Sequence, residues 1–405
     1  MSRNLRERAV TKYQRDGFAR FAWSTARFIL RQPVIRHFLL VEDEDIFSRA
    51  DRVIKTEEGT DSTIKYRGVN DSPHPPQIPL VEGTAMADPR IVCEFRNATL
   101  VGERPLIRVD GKYIPPSTIG NSGINQRKAR NTFRDTVRPR ELIGGTIEAS
   151  RSPAAYDTAF LLTGYFPVFG HWTFEILPKL RAYERYTERT NTTPEIITIP
   201  ELNSWQRESL ALLGYDPDKV VCKPEARVVV RRLLVPSHRY LTWTHVPSYP
   251  SRADLEWVRN RMNEHVTNTT ASFEDRIYIS REDAPRRRVR NHDAVAEVLT
   301  EYDFEVYEPG RLSFAEQIQL FAGADVVVGP YGAGVSNIVF ADDVDFVELV
   351  VDEERNFHHF VLANLLDIDY EYVSCRALPT EGVEPRQRDV EVDVTHLRDI
   401  LDTIV

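Results

Sequence analysis

The sequence predicts an α/β protein made of two doubly wound, Rossmann-like units in tandem, and three observations carry that prediction. Strand-like runs alternate with helical runs from about residue 154 to the end of the chain, the pattern of parallel sheets with helical crossovers. The helical stretch 251–266 divides the alternation into two sets. In the second set, Val326–Phe340 passes from three consecutive valines through Gly329, Pro330, Gly332 and Gly334 into helix-compatible residues, which reads as a buried strand, a tight turn and a helix start. Open sheets of this kind take ligands at the carboxyl ends of their strands, so the cleft between the two units is the expected site.

Composition sets outer bounds. A chain of 405 residues is long enough for two or three domains, and 41% hydrophobic with 28% charged residues fits a globular, water-soluble class. The net charge of −9 argues against a nucleic-acid binder. Cys93, Cys222 and Cys375 are odd in number and lack close spacing, which predicts reduced buried thiols. No run approaches the roughly 20 apolar residues of a membrane span. A cytoplasmic location is expected, and the Asn-x-Thr triplets at Asn97, Asn191 and Asn268 read as chance matches.

In chain order, residues 1–40 carry nine basic side chains against Glu7 and Asp16. As a helix this segment is amphipathic, with Phe18, Phe21, Ala22, Phe28 and Ile29 opposite Arg20, Arg27 and Arg31. It can lie on an anionic membrane surface, at the inner face of the cell membrane, or pack on the main body; both readings stay open. Residues 41–150 read as a linker with Pro73, Pro75, Pro76 and Pro79, followed by a small β element. Its last two strands, LIRV and KYI, flank the hairpin turn Asp110-Gly111, and a basic loop over 121–140 follows.

Residues 151–250 form the first unit. Its strands are expected at 158–164, 195–200 and 227–237, with one helix from about His171 and another capped by Asn203 or Ser204. Residues 251–378 form the second unit, with strands at 276–280, 326–329 and 345–351 and a helix capped by Ser313 and Glu316 as a capping box. Residues 379–405 are a tail and a closing helix.

Three features converge on the cleft. SREDAPRRRVRN follows a strand and places Ser280, Arg281, Arg286, Arg287 and Arg288 where a diphosphate can be held bidentately. The glycine turn offers N–H groups near Gly332, Ala333 and Gly334, with Ser336 and Asn337 at the helix start beside them. In GHWTFEILPKL, His171 and Glu175 stand four apart, so one helix face carries an imidazole and a carboxylate able to fix its tautomer. Each of these also has an ordinary structural reading: a solvated basic loop, tight packing and a helix-surface pair.

Taken together, GHWTFEILPKL, YISREDAPRRRVRN, VVVGPYGAGVSNIVF and the strand DFVELV resemble, in order, the conserved blocks of glycosyltransferase family 61. The resemblance implies a GT-B architecture, an α/β fold of two Rossmann-like domains facing a central cleft, here with an N-terminal helical and small β extension. It implies an inverting transfer from a nucleotide sugar, with UDP-sugars expected, to a glycan or lipid-linked acceptor. His171 is then the base, with Glu175 orienting it or serving as base itself. Arg281, Arg286 and the turn amides hold the diphosphate, and Glu348 accepts the ribose hydroxyls. No metal is called for where arginines and a helix terminus supply the charge, and Asp343-Val344-Asp345 reads as an acidic surface turn. One position departs: Tyr331 stands where the family carries His, and a phenol is a poor base near neutral pH. A non-catalytic sugar- or nucleotide-binding scaffold and another Rossmann-type nucleotide enzyme remain as alternatives, although the latter lacks a GxGxxG opening.

Overall fold

In the computed structural model the described residues are 40–41, 44–65, 83–102, 105–119, 132–133, 136, 155–164, 168–198, 201–222, 227–239, 241–242, 250–266, 271–351, 358–384 and 387–405. The expected basic helix up to residue 39, the linker stretch with Pro73, Pro75, Pro76 and Pro79, and most of the 121–140 loop lie outside them, whereas the parts of the linker at 44–64 and 83–87, read as connecting structure, carry a short helix and three strands.

After a short helix α1 (Glu44–Arg49), strands β1 (Arg52–Glu57), β2 (Thr60–Ile64), β3 (Gly83–Ala87), β4 (Arg90–Val101), β5 (Leu106–Val109) and β6 (Lys112–Ile114) follow in sequence. Asp110 (φ 47°) and Gly111 (φ 74°) both take left-handed conformations between β5 and β6, as a two-residue hairpin turn requires. The first α/β set supplies β7 (Tyr156–Leu161), α2 (Lys179–Thr190), β8 (Glu195–Thr198), α3 (Ser204–Leu212), β9 (Val221–Cys222), β10 (Arg227–Pro236), β11 (Leu241–Thr242) and α4 (Arg252–His265). Asn203 caps α3 in a capping box with Gln206, and Ser251 caps α4.

The strands read as a separate small β element instead join the first unit. The sheet order is β6-β5-β4-β10-β7-β8-β9, with β1 also on β4. Strand β10 runs parallel to β7 on one edge and antiparallel to β4 on the other. Such long-range pairing satisfies an edge that would otherwise be exposed. The short strands β2, β3 and β11 form a separate three-stranded sheet.

The second set is β12 (Arg276–Ile279), α5 (His292–Glu301), β13 (Glu305–Tyr307), α6 (Phe314–Ala322), β14 (Val326–Pro330), β15 (Asp345–Val351), α7 (His358–Leu365), β16 (Asp369–Ala377), β17 (Val390–Val392) and α8 (Val394–Ile404). Its sheet runs β13-β12-β14-β15-β16-β17, parallel except for β17. The all-buried pattern of β14 follows from helices on both faces.

One hydrophobic cluster spans both units, running from Leu162, Trp172, Leu210 and Leu255 to Ile277, Phe314, Val327 and Phe360. Polar contacts reinforce it. The carboxylate of Glu208 on α3 accepts from the backbone N–H of Phe314 (3.0 Å) and Ala315 (2.9 Å), capping α6 from the other unit. A buried charge cluster ties α4 to the first sheet: Arg90 meets Glu57 at 3.0 Å and Asp254 at 2.7 Å, while Arg181 and Arg239 each reach Glu57 at 3.1 Å. Cys93 and Cys375 are buried thiols outside any disulfide, and burial pushes Cys93 up to about 12. Among the described residues no helix is long and apolar enough to cross a membrane.

Removing the shared cap tests the junction. Glu208→Ala leaves two N–H groups at the start of α6 without their carboxylate and should lower unfolding free energy by about 0.5–2 kcal/mol, read by chemical denaturation. An unchanged midpoint would show that the cap contributes nothing.

Candidate functional site

Strand β7 is where the first sheet reverses its order, with β10 on one side and β8 on the other. Past its carboxyl end the chain forms one α-helical turn, Phe169–His171, and then a wide π turn, Trp172–Ile176, in which the Leu177 N–H bonds the Trp172 carbonyl at 2.9 Å. Pro178, with no N–H to donate, follows at once and separates this turn from α2; widened turns of this kind recur at functional sites. His171 Nδ1 and Glu175 Oε1 lie 2.6 Å apart, so the sequence spacing does bring the pair together. The imidazole is 34% exposed and the carboxylate 9%. A carboxylate on Nδ1 favours the tautomer in which Nε2 is the basic nitrogen. Trp172 anchors the turn by donating to Ser209 Oγ at 2.9 Å, and Phe169 packs between Trp205 and Phe314.

The second sheet reverses between β12 and β14, and there the arginine block and the glycine turn meet. A Cβ on Gly332 would overlap the Arg281 guanidinium, lying 2.8 Å from its Cζ, so only glycine admits that side chain. Gly329 is equally confined, 2.5 Å from Val335 Cγ1 and 3.0 Å from Ile279. Burial, with Arg287 close by and Asp283 acting against them, draws Arg281 down to about 10. Arg287 is held in the left-handed region (φ 59°) with its guanidinium 5.3 Å from the Tyr331 ring centroid. The Nε atoms of Arg281 and Arg287 are both buried without a hydrogen-bond partner. Two neighbouring guanidiniums left in this state have the donors to meet an anion with several oxygens.

The rest of the block divides. Arg286 is exposed at the rim, and its carbonyl lies 3.5 Å from Arg281 Nη2. Arg288 and Arg290 turn away to Asp389, at 3.5 and 2.6 Å, and the backbone between them bridges to Val390. Ser280 is buried, its N–H on the Tyr307 carbonyl.

Past the turn, the expected helix start is a 3₁₀ run, Val335–Phe340. The N–H groups of Ser336 and Asn337 are taken by the carbonyls of Ala333 (3.2 Å) and Gly334 (3.3 Å), so little helix dipole is aimed at the crevice. Asn337 donates to Gly334 O and to Gln317, a local competition that disfavours regular α structure. Glu348, expected to meet ribose hydroxyls, is 2% exposed, with Oε1 2.5 Å from His359 Nδ1 and Oε2 accepting from the Tyr370 hydroxyl at 2.8 Å. Its carboxylate faces the interior.

The two crevices are adjacent: a Cβ on Gly170, next to His171, would sit 3.9 Å from Ser336 Oγ. Three residues that the sequence reading passed over lie here. His358 packs on Phe174, ring centroids 6.2 Å apart, and burial, then His359 and His171, hold it down to about 3. Lys179, inside the GHWTFEILPKL block, is buried; its Nζ donates to the Thr163 carbonyl at 2.5 Å and lies 3.0 Å from His238 Nε2. Burial and Arg90 bring Lys179 down to about 7 against the pull of Glu175. His359 joins Glu348 to Ser336. A lysine in an amphipathic helix and a His-His pair in an apolar one carry no sequence signal of these contacts.

Residues 169–347 match the model of the family Glycosyltransferase 61. The matched span opens on the turn that bears His171 and takes in both the arginine block and the glycine turn. No curated protein matches the chain.

The closeness of Gly332 to Arg281 gives a direct test. Gly332→Ala should cost little stability, because the flexible guanidinium can swing away, yet weaken binding of inorganic pyrophosphate by about tenfold or more through loss of a charge-assisted contact. Calorimetric titration reads this, and equal affinity in the variant would remove Arg281 from the anion site.

Proposed function

From the premise that the chain carries a glycosyltransferase family 61 domain over residues 169–347, we propose that it is an inverting, metal-independent enzyme moving a hexosyl or pentosyl group from a nucleotide sugar to a hydroxyl of a glycan or lipid-linked acceptor. UDP-sugars are the first donors to test. The observation that carries this reading is the closeness of the turn bearing the carboxylate-oriented imidazole, His171–Glu175, to the glycine turn beside Arg281 and Arg287, whose buried Nε atoms have no hydrogen-bond partner.

In the reaction, His171 Nε2 takes the proton of the acceptor hydroxyl as its oxygen attacks the anomeric carbon from the face opposite the diphosphate. The bond from that carbon to the diphosphate oxygen breaks, and its electron pair leaves with the diphosphate. Arg281, Arg287 and the rim residue Arg286, with the amides near Gly332, Ala333 and Gly334, hold the charge that develops there. Glu175 keeps Nδ1 protonated and stabilises the imidazolium. Ser336, Asn337 and Glu348 shape the turn from beneath, and Ser280 closes its neighbouring strand. In this reading the architecture is GT-B, with residues 151–250 serving the acceptor, 251–378 the nucleotide sugar, and 379–405 closing the molecule.

The basic segment 1–40 would hold the enzyme at an anionic cytoplasmic leaflet, where a lipid-linked acceptor is available. Binding to anionic liposomes should fall as salt rises, and equal sedimentation of a chain lacking residues 1–35 would sink that part of the reading.

Release of free nucleoside diphosphate from a panel of nucleotide sugars separates an enzyme from a binding scaffold, the reading that Tyr331 alone favours. His171→Ala should lower turnover by about 10²- to 10⁴-fold with donor affinity nearly unchanged. Glu175→Gln should cost less if the carboxylate only orients the ring. Near-normal turnover in folded His171→Ala would refute the assignment of the base.

A further inference from the structure

A buried polar cluster lies beneath the glycine turn, and no bond-making or bond-breaking step of the transfer uses its groups. Its centre is His359 on α7, 2% exposed. Nδ1 is 2.5 Å from Glu348 Oε1, Nε2 is 3.0 Å from Ser336 Oγ, and the ring lies 5.1 Å from that of Tyr331. Glu348 is fixed in turn by the Tyr370 hydroxyl. The Tyr331 ring also carries the Arg287 guanidinium.

Serine, imidazole and carboxylate at these distances have the connectivity of a nucleophilic triad. Ser336 is only 4% exposed, however, and its hydroxyl is also 3.4 Å from the Gly332 carbonyl, so it is directed into the turn and not toward a substrate. A simple packing role fits poorly as well. Burying a carboxylate, an imidazole and a phenol costs desolvation that apolar side chains of similar volume would avoid. What the cluster does make is two outward contacts, to Ser336 and to Tyr331, and both residues belong to the glycine-turn segment.

We propose that His359 is a positioning residue that holds both walls of the anion site at once, the glycine turn through Ser336 and Arg287 through Tyr331. With Nδ1–H committed to Glu348, Nε2 accepts from the Ser336 hydroxyl, which pins the turn whose Gly332 lies against Arg281. The imidazole packs at a tilt of 53° against the Tyr331 ring and so backs it where it carries the Arg287 guanidinium, a cation–π contact strengthened by partial desolvation. Tyr331 thereby has a task that needs an aromatic face and no basic nitrogen.

The proposal rests on the anion-site reading, and one series of titrations with inorganic pyrophosphate keeps the two apart. His359→Ala should bind about tenfold or more weakly, as loss of a buried hydrogen-bonded partner implies. His359→Gln, which can restore the bonds to Glu348 and Ser336 but not the ring, should recover part of that loss. In turnover assays the apparent donor KM should rise more than kcat falls. Arg281→Ala is the reference. If it weakens binding while folded His359→Ala binds as wild type with only a lower Tm, the positioning role is overturned and the site stands. If wild type itself does not bind pyrophosphate, the site reading falls and this proposal with it. Should His359→Ala fail to fold, Ser336→Ala and Tyr331→Leu each cut one leg, and wild-type affinity in both would overturn the proposal equally.

Discussion

Two neighbouring guanidiniums, Arg281 and Arg287, neither in a close ion pair with a carboxylate among the described residues, are the constraint on which the rest of the site depends. Like charges repel, and a half-buried arginine loses hydration, so the arrangement is costly unless the surroundings enforce it. Enforcement comes from several directions. Gly332 leaves room for Arg281, the left-handed turn at Arg287 aims its side chain back over Tyr331, and Asp389 draws Arg288 and Arg290 away so that they do not add to the repulsion. The turn therefore gathers positive charge locally, although the chain as a whole is acidic.

Much of this was legible in the sequence because it is local. The Asp110-Gly111 hairpin, the Asn203 and Ser313 caps, the run of buried valines in β14 and the spacing of His171 and Glu175 are all decided within a few residues by backbone preference and periodicity. The parts that could not be read depend on partners far along the chain. Strand β4 looks self-contained until β10, more than a hundred residues later, pairs with most of it, from Val92 to Val101. Arg288 is indistinguishable from Arg287 until Asp389 arrives, and Glu348 looks like a strand residue available to ribose until α7 lays His359 over it. The 3₁₀ run after the glycine turn escaped for a subtler reason: Asn337 competes locally for backbone groups that a helix would use.

Lys179 shows how the two kinds of information combine. Its place in GHWTFEILPKL puts it one turn beyond Glu175, yet only the fold reveals an amine enclosed between the Thr163 carbonyl and His238 and drawn down to about 7. A neutral amine there can be accommodated without a buried charge, beside the Glu57, Arg90 and Asp254 cluster that ties α4 to the first sheet.

The hydrophobic cluster that runs through both units bears on how such a protein can diverge. Phe169, Trp205 and Phe314 interlock across the junction, and Glu208 on one unit caps a helix of the other. Halves joined in this way are not interchangeable modules: a recombined chain would inherit mismatched aromatic surfaces and an uncapped helix. Change is then accommodated most readily at exposed positions such as Glu282 and Arg286, outside the interlocked surfaces. The lineage would keep its two sheets together and vary the lip of the crevice.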